Sequence, residues 1–251
     1  MSKELEIENK VARREFLKMV GVAGAASTVP LVVGNTSADE MPVTADNSAH
    51  HHAHTSSSGH ATGYEFFNTE ESSFIESAVD TLIPKDSIGP GAKELDVATY
   101  IDRQMASGYG KGDRLYLEGP FGTGTPQQGY QLRMTPSELI RAGIADVNVH
   151  VRDKYKKSFD ALSVKERVAV LTDLDTSKVD LLTVPTATFF ALLLQLTIEG
   201  YFSDPMYGGN KGKAAWKMIG FPGADAMYMD KIEPFRGKPY SAEPMAIQEL
   251  G

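Results

Sequence analysis

The chain has 251 residues, 41% of them hydrophobic, which is enough for one folded domain with length to spare. A formal net charge of −8 argues against nucleic acid as a partner, because that role needs a clustered basic surface. The chain has no cysteine, which removes disulfides, thiolate metal sites, cysteine-held iron–sulfur clusters and c-type haem attachment.

Residues 1–38 read as an export signal. "ARREFLKMVGVAGAASTVPLVVGNTSA" places Arg13 and Arg14 ahead of Phe16, Leu17 and Lys18, the layout of a twin-arginine signal. The apolar run that follows is rich in Gly and Ala, and at about 15 residues it is shorter than the roughly 20 of a membrane span. Thr36, Ser37 and Ala38 supply small residues for cleavage after Ala38. The twin-arginine translocase moves folded proteins. Either this chain takes up a cofactor before export, or it travels with a partner that has done so.

Residues 39–63 are small and polar, without apolar periodicity, and read as a disordered linker. They hold five of the six histidines: His50, His51, His52, His54 and His60. Histidines can bind Zn or Cu, but no carboxylate or thiol stands with these at fixed spacing, so they are weak metal candidates.

The folded domain is expected over residues 64–251. "NTEESSFIESAVDTLIP" opens with a capping box, Asn68 and Glu71, followed by Phe74, Ile75, Ala78, Val79 and Leu82 at helical spacing. Val97, Tyr100, Ile101 and Met105 mark one face of a second helix. A Gly-rich stretch then runs to Met134; its length marks it as functional or as held by a partner. Thr135, Pro136 and Glu138 start a third helix, and Ser163 with Glu166 a fourth. His150, alone inside the third, is read as packed and hydrogen-bonded rather than catalytic. Residues 184–202 are apolar nearly all round and are expected to form a central buried helix. Strand signals are scarce, so the fold class is all-α: an irregular helical domain with long loops.

"DPMYGGNKGKAAWKMIGFPGA", residues 204–224, looks like a glycine-rich ligand loop and holds the only tryptophan. Its spacing fits no phosphate loop: Ala214 stands where Ser or Thr would hold a metal, and no strand precedes it. The dinucleotide fingerprint is also missing. Asp204 and Pro205 end the apolar helix, Gly208, Gly209 and Asn210 make a tight reversal, and "KAAWKMIG" forms a short helix closed by Gly220. The result is a rigid corner presenting Tyr207, Trp216 and Phe221, either as anchors into the core or as an interface for a partner. No G-x-S-x-G, H-E-x-x-H or Ser-His-Asp set can be nominated, so no catalytic residue is expected.

The signal, "FFNTEESSFIESAVDTLIPKDSIGPGAKELDVATYID" and "GYFSDPMYGGNKGKAAWKMIGFPGA" together resemble the small subunit, subunit 3, of gluconate 2-dehydrogenase and of related FAD-dependent sugar and alcohol dehydrogenases. The resemblance covers about residues 64–230 and the signal. It implies a periplasmic complex in which a large subunit bears FAD and does the chemistry. A multihaem cytochrome c passes electrons onward, and the small subunit has no cofactor of its own. The small subunit carries the signal, and the flavoprotein is exported bound to it. The His-rich linker lies outside the family pattern. Two other readings stand beside this one. One is a self-sufficient periplasmic metal-binding protein using the histidine tract. The other is a stand-alone flavin enzyme, opposed by the missing dinucleotide fold.

Overall fold

The computed structural model describes residues 63–122, 124–125, 128–225 and 227–250. Seven α-helices lie among them: α1 (Thr69–Leu82), α2 (Val97–Ala106), α3 (Pro136–Tyr155), α4 (Val164–Asp175), α5 (Thr186–Phe202), α6 (Ala214–Ile219) and α7 (Met229–Phe235). The one β feature among the described residues is an isolated bridge between Gly223 and Met245.

Local chemistry sets the helix starts. The capping box of α1 is complete: the Glu71 amide donates to Asn68 Oδ1 at 2.9 Å, and the Asn68 amide donates to Glu71 Oε2 at 3.0 Å. The same reciprocal pair opens α3 at Thr135 and Glu138, with Pro136 in its first turn, and α4 at Ser163 and Glu166. Helix α2 starts differently, with Asp96 in the left-handed region at φ 56° and no side-chain cap.

Helix α5 is the hub, packing against α1, α2, α3, α4 and α6. Two glycine notches let the helices approach. A Cβ at Gly143 of α3 would lie 2.0 Å from the Phe189 ring of α5, and one at Gly200 of α5 would lie 2.8 Å from the Tyr100 ring of α2. The core these crossings enclose includes Phe74, Ile75, Ile101, Leu139, Ile144, Phe159, Leu193 and Tyr201. The Phe74 and Phe159 rings stand 4.6 Å apart.

Two expectations change. Helix α5 is central but not buried all round, since Ala187, Ala191, Gln195, Glu199 and Phe202 form an exposed stripe. Their three- and four-residue spacing puts them on one helix face. Gln195 and Glu199, which interrupt the apolar run, are the polar members of that face. His150 is packed, but its Nε2 is buried without a hydrogen-bond partner among the described residues. No described helix is long and apolar enough to cross a membrane.

Candidate functional site

The corner at residues 204–223 is built from left-handed backbone. φ is 109° at Gly208, 47° at Asn210, 64° at Gly212 and 59° at Lys213. Glycine and asparagine are the residues expected there; a lysine is not, and nothing in residue type marks Lys213 for it. Its amide donates to the Asn210 carbonyl at 2.8 Å, and its Nζ pairs with Glu249 at 2.7 Å.

Gly209 serves another purpose, close approach. A Cβ there would lie 2.0 Å from the Gly200 carbonyl oxygen and 2.8 Å from Ser203 Oγ. The first of these atoms is backbone of α5 and cannot swing aside. Gly209→Ala is therefore expected to destabilise the full chain by about 1–3 kcal/mol. Urea unfolding measures it, and an unchanged midpoint would mean that the corner is not seated on α5 as described.

The polar side chains that suggest a ligand loop are all engaged within the chain. Asn210 is fully buried; its Nδ2 donates to the Ser203 carbonyl and its Oδ1 accepts from the Ala215 amide, both at 2.9 Å. It joins the end of α5 to the start of α6. Asp204 accepts from the Met206 amide at 3.0 Å and from the Ile247 amide at 2.8 Å. The Trp216 indole N–H donates to the Phe202 carbonyl at 2.7 Å, and the ring is only 5% exposed. Lys211 pairs with Asp96 at 2.8 Å and Lys217 with Glu243 at 2.5 Å, so all three lysines of the loop hold carboxylates of this chain. A phosphate cradle would leave such groups facing outward.

Besides its paired lysines, the corner exposes Ile219 and two aromatic side chains. Tyr207 is 45% and Phe221 43% exposed, while Pro205 and Gly208 are half-buried. Trp216 meets the Phe221 ring edge-on at 5.2 Å but is itself a core residue.

Beyond the corner the chain forms an arm that leaves and returns. The Ala224 amide donates to the Met245 carbonyl at 2.7 Å, and the Met245 amide donates to the Pro222 carbonyl at 3.1 Å. Between these ties, α7 has no buried residue. The arm has a small cluster of its own, in which Phe235 and Tyr240 stand 4.8 Å apart and Lys231 pairs with Asp225, and Glu243 ties it to Lys217 of the corner. Met227, Met229 and Ile232 face outward, Met229 at 80% exposure.

No group of three or more His, Cys, Asp or Glu residues is placed to hold a metal among the described residues. The export residues Arg13, Arg14, Phe16 and Leu17, and the histidines His50, His51, His52, His54 and His60, lie outside the described residues. A shallow depression on α3 is lined by Ser137, Glu138, Arg141, Ala142 and Ala145. Its charged groups are already engaged: Glu138 in the capping box, and Arg141 with Glu71 at 2.8 Å. It offers no acid–base pair for chemistry.

Sequence reading missed two buried carboxylates that organise this frame. Asp102 on α2 accepts the amides of Glu65, Phe66 and Phe67 at 2.7, 3.0 and 2.9 Å. Asp146 on α3 accepts the Thr183 amide at 2.6 Å and its hydroxyl at 3.0 Å. Both stand within the apolar stripes of their helices, beside Ile101 and Val147. An acid at such a position is the signal that could have found them.

A helical domain whose most distinctive motif is consumed by its own packing, and which leaves aromatic and methionine side chains outside, has the build of a partner-binding subunit. Comparison with protein families matches residues 69–223 to gluconate 2-dehydrogenase subunit 3. The match takes in α1 to α6 and the whole corner, and the chain belongs to this family as an accessory subunit. Comparison with curated proteins and with solved structures gives no match.

Proposed function

We propose that this chain is the non-catalytic small subunit of a periplasmic FAD-dependent dehydrogenase acting on gluconate or a related sugar or alcohol. It binds the flavin-bearing large subunit in the cytoplasm, carries it through the twin-arginine translocase and stays bound to it. A multihaem cytochrome c completes the complex, and any association with the inner membrane comes through these partners. Residues 1–38 are the signal, residues 39–63 a linker, and the helical domain the binding module.

The observation that carries this reading is the family match, which spans the domain from α1 through the corner. The corner's division of labour supports it. Asp204, Pro205, Gly208, Gly209, Asn210 and Trp216 shape a rigid base, and Tyr207 and Phe221 are the contacts it offers. Aromatic residues on a pre-ordered base are what partner recognition favours. The test is to purify the tagged chain from its native cell in mild detergent and record the visible spectrum. A flavin spectrum with a co-purifying chain of flavoprotein size is the expected result. A colourless, solitary protein would overturn the reading.

A further inference from the structure

The exposed stripe of α5 ends beside α2, where one carboxylate stands among phenol rings. Glu199 Oε1 accepts from Gln195 Nε2 at 2.8 Å, and Glu199 Oε2 accepts from the Tyr100 hydroxyl at 3.4 Å. Both donors are neutral. Among the described residues no lysine, arginine or histidine forms an ion pair with Glu199. A carboxylate offers about four lone-pair sites and two are used here, so both oxygens can accept again.

The chain brings two more phenols to this place. Tyr109 follows the C-terminus of α2, where the Gly110 amide donates to the Gln104 carbonyl at 3.0 Å. Tyr207 belongs to the corner, which is laid on α2: Gly208 lies against Thr99 and Arg103, and Arg103 Nη1 donates to the Met206 carbonyl at 3.5 Å. Tyr109 is 41% exposed, and Tyr207 and Glu199 are exposed with it. The electrostatics fit one cluster. Burial first, and then the Glu199 charge, raise the Tyr100 and Tyr109 hydroxyls above their ordinary values, and the Tyr109 and Tyr207 hydroxyls add to the effect on Tyr100.

We propose that Glu199, with the faces of Tyr109 and Tyr207, forms a docking site for an arginine side chain of the flavin-bearing subunit. This rests on the partner reading above and adds the chemistry of one contact. A guanidinium fork matches the two open carboxylate oxygens, and its flat face suits a phenol ring. Arg103, the cation carried by this face of α2, is turned to the Met206 carbonyl and leaves Glu199 uncompensated. The site lies within the residues that match the family, whereas most of the apolar arm lies beyond them.

The experiment compares tagged full-length wild type, Glu199→Gln and Tyr207→Leu, each co-purified from the native cell with the flavin-bearing chain. Both positions are exposed, and equal melting temperatures of the three small subunits confirm that folding is untouched. The flavin recovered per small subunit is expected to fall about tenfold or more in Glu199→Gln, the scale of a lost charge-pair contact at an interface. Wild-type recovery should also drop as salt rises, and the Glu199→Gln remainder should be much less salt-sensitive. Equal recovery and equal salt dependence in all three would overturn the site while leaving the partner reading intact. No flavin with wild type would overturn the partner reading itself.

Discussion

Trp216→Ala is expected to lower the stability of the full chain, without any partner, by about 3–5 kcal/mol. The side chain is 5% exposed and packs edge-on against Phe221, so its removal opens a large cavity beneath the corner. It also removes the donor to the Phe202 carbonyl. That carbonyl sits in the last turn of α5, where no amide of the helix itself can reach it. For a domain of this size the loss corresponds to a fall of roughly 10 °C in melting temperature. Trp216→Phe keeps an aromatic ring but loses the N–H and part of the indole volume, with an expected cost below that of Trp216→Ala, about 1–3 kcal/mol. A tryptophan that acted only as an anchor for the partner would give the opposite pattern. Melting of the isolated variant would be unchanged, and only assembly would suffer.

The contrast between Trp216 and Tyr207 shows where sequence reading ends. The reversal at Gly208 and Asn210 and the stop at Gly220 are legible, because positive φ is a property of single residues. The capping boxes at Asn68, Thr135 and Ser163 are legible because both partners lie within four residues. Which way Trp216 points is not local. Its acceptor is fourteen residues back on α5, and Asn210 likewise reaches to Ser203 on one side and Ala215 on the other. Helix α5 poses a related problem. A segment apolar nearly all round has no phase of its own, so its open face appears only once α1 to α4 have covered the rest. The same holds for the Glu199 cluster, whose members come from three elements. The pairing of the corner's lysines needed the positions of Asp96, Glu243 and Glu249, none of them a neighbour in sequence.

Asp102→Ala is expected to destabilise the full chain by roughly 3–5 kcal/mol, at the upper end for a single polar substitution. The carboxylate is 2% exposed and accepts three consecutive amides, those of Glu65, Phe66 and Phe67. The next amide, of Asn68, goes to Glu71, and Arg141 donates to the Phe66 carbonyl at 2.8 Å while lying 4.1 Å above its ring. Four successive backbone donors are thus held by two carboxylates, and this clamp fixes the segment that leads into α1. Alanine would leave the buried Phe67 amide with no acceptor and free the segment from α2. Asp102→Asn retains one oxygen and should cost clearly less. Urea unfolding gives the size of the effect, and amide hydrogen exchange at Glu65, Phe66 and Phe67 gives its location. Exchange should rise at these three positions before the rest of α1 opens, because the capping box at Asn68 still holds the helix start. Unchanged protection there would show that the three amides are held by something other than Asp102. Under the proposed function the clamp also bears on export. The segment it holds joins the domain directly to the residues read as linker and signal, so a chain that loses it would present a loosened N-terminal face to a translocase that accepts folded cargo. A tagged Asp102→Ala chain is accordingly expected to remain in the cytoplasm in larger proportion than Asp102→Asn, in the order of their melting temperatures.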